Sequence, residues 1–229
     1  GEKCAPQAGG ITARAVVMAA GGGSELAHGL GLSTVAEGPV LCALACEPEN
    51  NGLELALVDG RRAHAHARLL RGGSELWAED GEVLFRPWGL SGICVFDLSR
   101  RAEAGDVISL DLTCGMADAR LEAAAATALG AAGGNPASAL AALRQARSLR
   151  FLVTDRAETE RAQVTRGGLG VTGFFPETLE CTTLPGLFAC GEALDVDADC
   201  GGFNLAWAWR SGQVAGASAA ALALSQNRK

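Results

Sequence analysis

The sequence contains no tyrosine, and its only lysines are Lys3 and Lys229, at the two ends. A Walker phosphate loop needs an internal lysine on its phosphates, and a pyridoxal enzyme needs one for its Schiff base, so both are excluded. Imidazole chemistry is confined to His28, His64 and His66. Basic charge is scarce too: 19 basic residues against 26 acidic ones leave a formal charge of −7. Phosphate neutralisation needs clustered Lys and Arg, so this balance argues against a nucleic-acid partner. No apolar run reaches the roughly 18–20 residues of a membrane span, and the N-terminus has no signal-peptide pattern. The eight cysteines, at 4, 42, 46, 94, 114, 181, 190 and 200, include no CxxC pair. Several sit in apolar runs (LCALAC, GICVF, LFACG), where thiols behave as small hydrophobes. These features predict a cytoplasmic protein with reduced cysteines and no membrane partner.

What is present describes a globular chain. Its 229 residues, 48% hydrophobic and 20% charged, are enough for a sizeable core. Ala13–Ala20 reads as a buried strand stopped by Gly21-Gly22-Gly23, with Ser24 capping a short helix through Leu30. From Val40 to Leu112 the texture changes to short β runs: Val40–Cys46, Leu53–Val58, Ala63–Leu70, Ser74–Ala78 and Val83–Phe85. Asn50-Asn51-Gly52, Asp59-Gly60, Gly72-Gly73 and Asp80-Gly81 punctuate them as hairpin turns. His64 and His66 alternate with alanines and share one strand face, which reads as an exposed sheet face rather than a metal site. Ser91–Ser99 predicts a short helix and Asp106–Leu112 a strand. Residues 116–149 give two alanine-rich helices split at Gly130, Gly133-Gly134 and Pro136. Strands return in Phe151–Asp155 and Leu187–Cys190, and a helix runs from about Asn204 to Leu224.

Strand, glycine turn and helix over Ala15–Ser24, with Glu47 ending the next apolar run, invite a dinucleotide reading. The spacing fails, because Leu26 stands where the third Gly or Ala of the fingerprint belongs, and its side chain would hold the helix off the strand. The stretch from Thr182 to Asn204 says more. Pro185-Gly186 makes a turn, a short buried strand follows, and Gly191 stops it with Glu192 immediately after. An acid at the carboxyl end of a buried parallel strand points into the crevice where α/β sheets bind ligands. Gly201-Gly202 then opens the last helix, whose N-terminal amides and dipole favour an electron-rich atom by about 0.3–1 kcal/mol. A strand-end acid and a bare helix N-terminus suit a cofactor with hydroxyls at one point and an acceptor ring edge at another, as in a flavin.

The stretches Ala162–Leu169, Leu184–Asp197 and Gly201–Trp209 with Ser211-Gly212 resemble the C-terminal part of the HI0933-like (BaiN-like) flavoproteins. Arg86–Gly92, Leu98-Ser99 and Gly105–Asp111 are similar to that family's insert domain, and Ala15–Gly22 to the strand and turn preceding it. The resemblance implies an α/β fold: part of a Rossmann-like FAD-binding domain interrupted by a β-rich, antiparallel insert with two short helices. The expected divisions are 1–33 (strand and turn), 34–150 (insert) and 151–229 (C-terminal part).

It also implies an oxidoreductase that binds FAD, is reduced by NAD(P)H and acts on a small-molecule substrate. Glu192, after Gly191, would meet the ribityl or pyrophosphate portion. Gly202, Phe203 and Asn204 would present backbone to the pyrimidine edge, Gly201 is expected among the cofactor-binding residues, and Gly21 and Gly22 would lie along the cofactor. The family's glycine-rich unit that grips the ADP half does not precede residue 1. The chain is therefore expected to be a fragment, inactive alone, binding FAD weakly, with a mobile loop at Asp195–Cys200. Ala198-Asp199-Cys200 replaces the family's Gly-Tyr-Thr, putting Asp199 near the ring and making Cys200 either a redox partner or a packing thiol. Ala19-Ala20 replaces Ala-Thr. Two alternatives remain at this point: a non-catalytic β-rich binding module, and a nicotinamide-binding Rossmann domain using Gly21–Gly23 and Glu47.

Overall fold

The computed structural model describes residues 12–22, 26, 29–49, 52–120, 122–123 and 136–225. The chain divides into two compact units. One is drawn from the described parts of Gly1–Glu37, Arg166–Asp197 and Gly202–Lys229, the other from Gly38–Thr165 and Ala198–Gly201. No described helix is long and apolar enough to cross a membrane.

The second unit is a closed antiparallel barrel. Its strands are β3 (Ala43–Glu49), β4 (Arg62–Arg71), β5 (Ser74–Arg86), β6 (Gly89–Ser91), β7 (Val107–Asp111) and β8 (Leu149–Ala157). The order around the wall is β3-β6-β5-β4-β7-β8, so every strand has two neighbours and none presents a free edge. Period-two alternation fills the interior. Ala65, Ala67 and Leu69 of β4, Ile108 and Leu110 of β7, and Phe151 and Val153 of β8 are buried together. Helix α1 (Ile93–Ser99) adds Cys94, Val95 and Leu98 to the same core.

The β4–β5 hairpin turns at Gly72-Gly73, both at positive φ between the paired Arg71 and Ser74, as a two-residue primed turn requires. The shared outward face expected for His64 and His66 is present. Arg71 clamps the loop before β7. Its Nε and Nη2 donate to Asp106 Oδ1 and Oδ2, each at 2.8 Å, and the Asp106 side chain is 4% exposed. Those hydrogen bonds hold the Asp106 carboxyl below the usual range against the opposing effect of burial.

Three expectations change here. Leu53–Val58 is not a strand; Leu55–Val58 forms a 3-10 helix with Leu55 in the core. Asp80-Gly81 is not a turn, since β5 runs unbroken through it with Gly81 opposite Ala65. Gly81 serves packing instead: a Cβ there would come within 3.0 Å of the Cys94 Cβ, so its hydrogen lets α1 lie against the strand. Residues 151–165, expected with the C-terminal part, belong to the barrel, because β8 pairs with both β3 and β7. Of the two helices expected over 116–149, α2 (Pro136–Gln145) is present and residues 118–120 and 122–123 are helical. The split at Gly130 and Gly133-Gly134 lies outside the described residues, as does most of the helix expected from Ser24.

The first unit is built on a parallel pair, β1 (Val16–Met18) and β10 (Leu187–Ala189), with Met18 opposite Ala189. β10 is delivered by the expected Pro185-Gly186 turn, in which Gly186 has φ +87 and Leu187 N–H donates to the Leu184 carbonyl at 3.1 Å. Helix α3 (Phe203–Ser225) packs on this pair through Ser211, Ala215 and Ala219, spaced four apart. Small residues in that stripe let the helix approach Phe188 and Ala189 closely. Strand β1 is less covered than expected. Among the described residues it has one neighbouring strand, and Val16 is 52% and Val17 37% exposed, leaving only Met18 buried. The chain passes between the units along β2 (Thr34–Val40) and back along β9 (Val164–Leu169), which pair with each other.

Candidate functional site

The in-register pairing of β1 and β10 brings the residues after Met18 and after Ala189 to one edge of the sheet. Cys190 N–H donates to the Met18 carbonyl at 3.0 Å and closes that edge. Gly191 follows at φ +64, and α3 holds it by both backbone groups. Its N–H donates to Ser211 Oγ at 2.8 Å, and its carbonyl accepts Trp207 Nε1–H at 3.0 Å. The Ser211 hydroxyl in turn donates to the Trp207 carbonyl at 2.6 Å, so the oxygen that receives Gly191 is itself oriented.

The next turn is a 3-10 helix, Gly191–Ala193, carrying Glu192 half-buried at its centre. β9 braces it. Asp195 N–H donates to the Leu169 carbonyl at 2.9 Å, and Gly168 at φ +111 lies so close that a Cβ would come within 2.9 Å of the Ala193 carbonyl. Arg166 faces Asp197 across 3.7 Å.

Gly21 (φ +75) and Gly202 (φ +90) differ from Gly168. A Cβ at either would meet no protein atom within 4 Å, so the backbone there is bare toward open space. Gly202 accepts Ala206 N–H at 2.9 Å and opens α3, whose first turn carries no acidic side chain to offset the helix dipole. Phe203 is 62% exposed there, and Asn204 follows it half-buried. Exposed backbone at a glycine turn, an acid after a parallel strand and an uncompensated helix N-terminus together offer an acceptor for hydroxyls and donors for an electron-rich ring edge.

Gly21, Gly22, Gly191, Glu192, Gly202, Phe203 and Asn204 thus all belong to the first unit. Gly201 does not, since residues 198–201 pack with the barrel unit. That loop, expected to be mobile, is hydrogen-bonded to residues of the barrel unit. Asp199 takes hydrogen bonds from Arg100 and Arg101, which keep its carboxyl below the usual range although burial opposes them. Cys200 N–H donates to Asp97 Oδ1 at 2.6 Å, and its side chain packs on the Val40, Leu41 and Val164 cluster. Burial and the neighbouring Asp97 push the Cys200 thiol up to about 12, so it stays protonated and the redox-partner reading gives way to a packing thiol.

The nicotinamide reading also falls on geometry. Glu47 stands on β3 of the barrel, opposite Leu152 of an antiparallel neighbour, and not at the end of a strand parallel to β1. No cluster of metal-ligating side chains occurs among the described residues. Ser211, Trp207 and Gly168 were not singled out as functional from the sequence. Ser211 and Trp207 lie on one face of α3, four residues apart, which is the one sequence signal that pairs them.

Residues 3–218 match the family model described as the HI0933-like protein Rossmann domain. The chain belongs to the HI0933-like family. Among its relatives are the 3-dehydro-bile acid delta(4,6)-reductase of Clostridium scindens and the ribosomal RNA dihydrouridine synthases of Escherichia coli and Haemophilus influenzae. The first is 40% identical over 78 residues, 34% of this chain and 19% of the relative. The E. coli enzyme is 42% identical over 50 residues, 22% of this chain and 12% of the relative. The H. influenzae enzyme is 40% identical over 65 residues, 28% of this chain and 15% of the relative. In each case the matched stretch spans less than a fifth of the relative's length.

Proposed function

We propose that this chain supplies part of the FAD site of a flavin-dependent oxidoreductase that takes its electrons from NAD(P)H. The observation that carries the reading is Gly191, pinned by Ser211 and Trp207 at the carboxyl edge of the β1–β10 pair with Glu192 directly after it. Bound flavin would accept a hydride equivalent from the nicotinamide and pass it to the substrate. The chain's own contribution is binding and orientation. Glu192 accepts hydrogen bonds from cofactor hydroxyls, Gly21 and Gly22 let the cofactor approach the backbone, and Gly202, Phe203 and Asn204 offer main chain and helix dipole to the pyrimidine edge.

The names of the relatives support a reductive reaction, since both reductase and dihydrouridine synthase describe hydrogen added across a double bond. Between their substrate classes the formal charge of −7 favours a small molecule over RNA. Titrating the chain with FAD, followed by flavin fluorescence, tests the cofactor. Adding NADH or NADPH without oxygen and watching the flavin's visible absorbance bleach tests the reductant. If no FAD binds even at millimolar concentration while ADP or NAD binds tightly, the reading is wrong.

A further inference from the structure

Outside the cofactor region, the barrel unit holds one thiol in a setting unlike the others. Among the described cysteines Cys114 alone is exposed. Burial and neighbouring carboxylates push Cys94 and Cys200 up to about 12, and burial alone does so for Cys46. Cys114 follows β7, and the β4–β7 register explains its surroundings. His66 lies opposite Asp111, so β4 carries His64 toward the turn just beyond the end of β7. The Cys114 Sγ comes to rest 3.6 Å from His64 Nδ1.

Asp111 shapes the turn that puts it there, accepting hydrogen bonds from Thr113 N–H at 2.7 Å, Thr113 Oγ1 at 2.6 Å and Gly115 N–H at 3.1 Å. Cys114 itself is held at φ +49, a left-handed conformation uncommon for a residue with a side chain. Gly115, next along, lines an open cleft of about 470 Å³ with Asp111, Met116, Asp118 and Arg147. The nearby charged groups are engaged elsewhere. Glu82, opposite His64 on β5, takes Arg62; His66 pairs with Asp80; and Arg147 pairs with Asp118.

We propose that Cys114 and His64 form a nucleophile–base pair through which low-molecular-weight disulfides modify this chain. With its proton on Nε2, His64 presents Nδ1 as the acceptor. The Cys114 thiol gives its proton to Nδ1, and the sulfur attacks one sulfur of the incoming disulfide. The S–S bond breaks, and the departing thiolate takes the proton back from the imidazolium. One thiol and one disulfide become a mixed disulfide and one thiol, so no further oxidant is required. The open cleft beside Gly115 leaves room for the group carried on the attached sulfur.

Oxidised glutathione is the probe. The folded 229-residue chain is incubated with it at neutral pH, quenched with acid and digested, and each cysteine peptide is weighed. The expected result is a glutathione adduct on the Cys114 peptide before any other described cysteine. His64→Ala and His64→Gln should each slow that adduct by about tenfold or more. Both substitutions lie on the outward face of β4, so the circular dichroism of the variants should match the parent. In denaturant the three proteins should react at one rate, since the pair exists only in the fold. A folded His64→Gln chain that reacts as fast as the parent, or first modification at Cys200, would overturn the proposal.

Discussion

Replacing Ser211 by alanine removes the acceptor for the Gly191 N–H without altering the shape of the helix stripe. Ser211 is 1% exposed and Gly191 is buried, so water does not take over the lost bond. A buried donor left without a partner costs about 1–3 kcal/mol. Alanine is the better helix former and returns about 0.5 kcal/mol, which leaves a net cost of about 0.5–2.5 kcal/mol. The cost is local to the turn carrying Glu192, so the direct assay is hydrogen exchange at the Gly191 amide. At about 1.4 kcal/mol per tenfold, protection should fall by about 2- to 60-fold. Trp207→Phe releases the Gly191 carbonyl from the same helix. Because both side chains grip one residue, the double variant should depart from additivity by about 0.5 kcal/mol or more. A Ser211→Ala chain that is folded and keeps parental protection at Gly191 would refute the clamp.

Gly168→Ala should destabilise more than Gly191→Ala in chemical denaturation. At Gly191 the new Cβ meets Ala208 at an ordinary 3.6 Å, so the cost is the left-handed backbone, about 1–2 kcal/mol. At Gly168 the Cβ also collides with the Ala193 carbonyl at 2.9 Å, and equal losses would be the contrary result. Asp106→Asn should cost about 1.5–3 kcal/mol at neutral pH, read as a lowered denaturation midpoint. Because the folded carboxyl titrates below its usual value near about 3.9, the difference between parent and variant should be constant above about pH 5. It should shrink as pH falls through the folded value, and a pH-independent difference would show that Arg71 is not the cause. Glu192→Ala, in protein that holds FAD, should weaken retention by about 1.5–3 kcal/mol in a fluorescence titration; unchanged affinity would remove Glu192 from the site.

Local chemistry makes much of this legible in the sequence. Gly72-Gly73 required positive φ at two successive positions, and Pro185-Gly186 announced the turn into β10. The apolar run to Cys190 followed by Gly191 and Glu192 marked a strand end with an acid. What was not legible depends on distant partners. Asp80-Gly81 carries the composition of a turn, yet its glycine answers to Cys94 on a helix thirteen residues later. Phe151–Asp155 reads as a strand for any sheet, and only its pairing with β3 and β7 assigns it to the barrel. Leu55–Val58 was too short for its apolar pattern to separate a strand from a helical turn. Ser211 lies twenty residues from Gly191 in a helix rich in small residues, where a serine carries no visible role.

The entry and exit of the barrel are tied together. Val40 and Leu41, at the end of β2, pack on Val164, at the start of β9, in one buried cluster. This contact shortens the chain as the first unit experiences it during folding. In an unfolded chain, β1 and β10 must find each other across a loop of about 170 residues, at an entropic cost that grows as (3/2)RT ln n. Once the barrel has closed and pinned Val40 beside Val164, that loop contracts to its two flanks, about 45 residues. Two halvings of loop length at about 0.6 kcal/mol each lower the cost of pairing β1 with β10 by about 1 kcal/mol. A destabilising change inside the barrel is therefore expected to slow the assembly of the parallel pair as well.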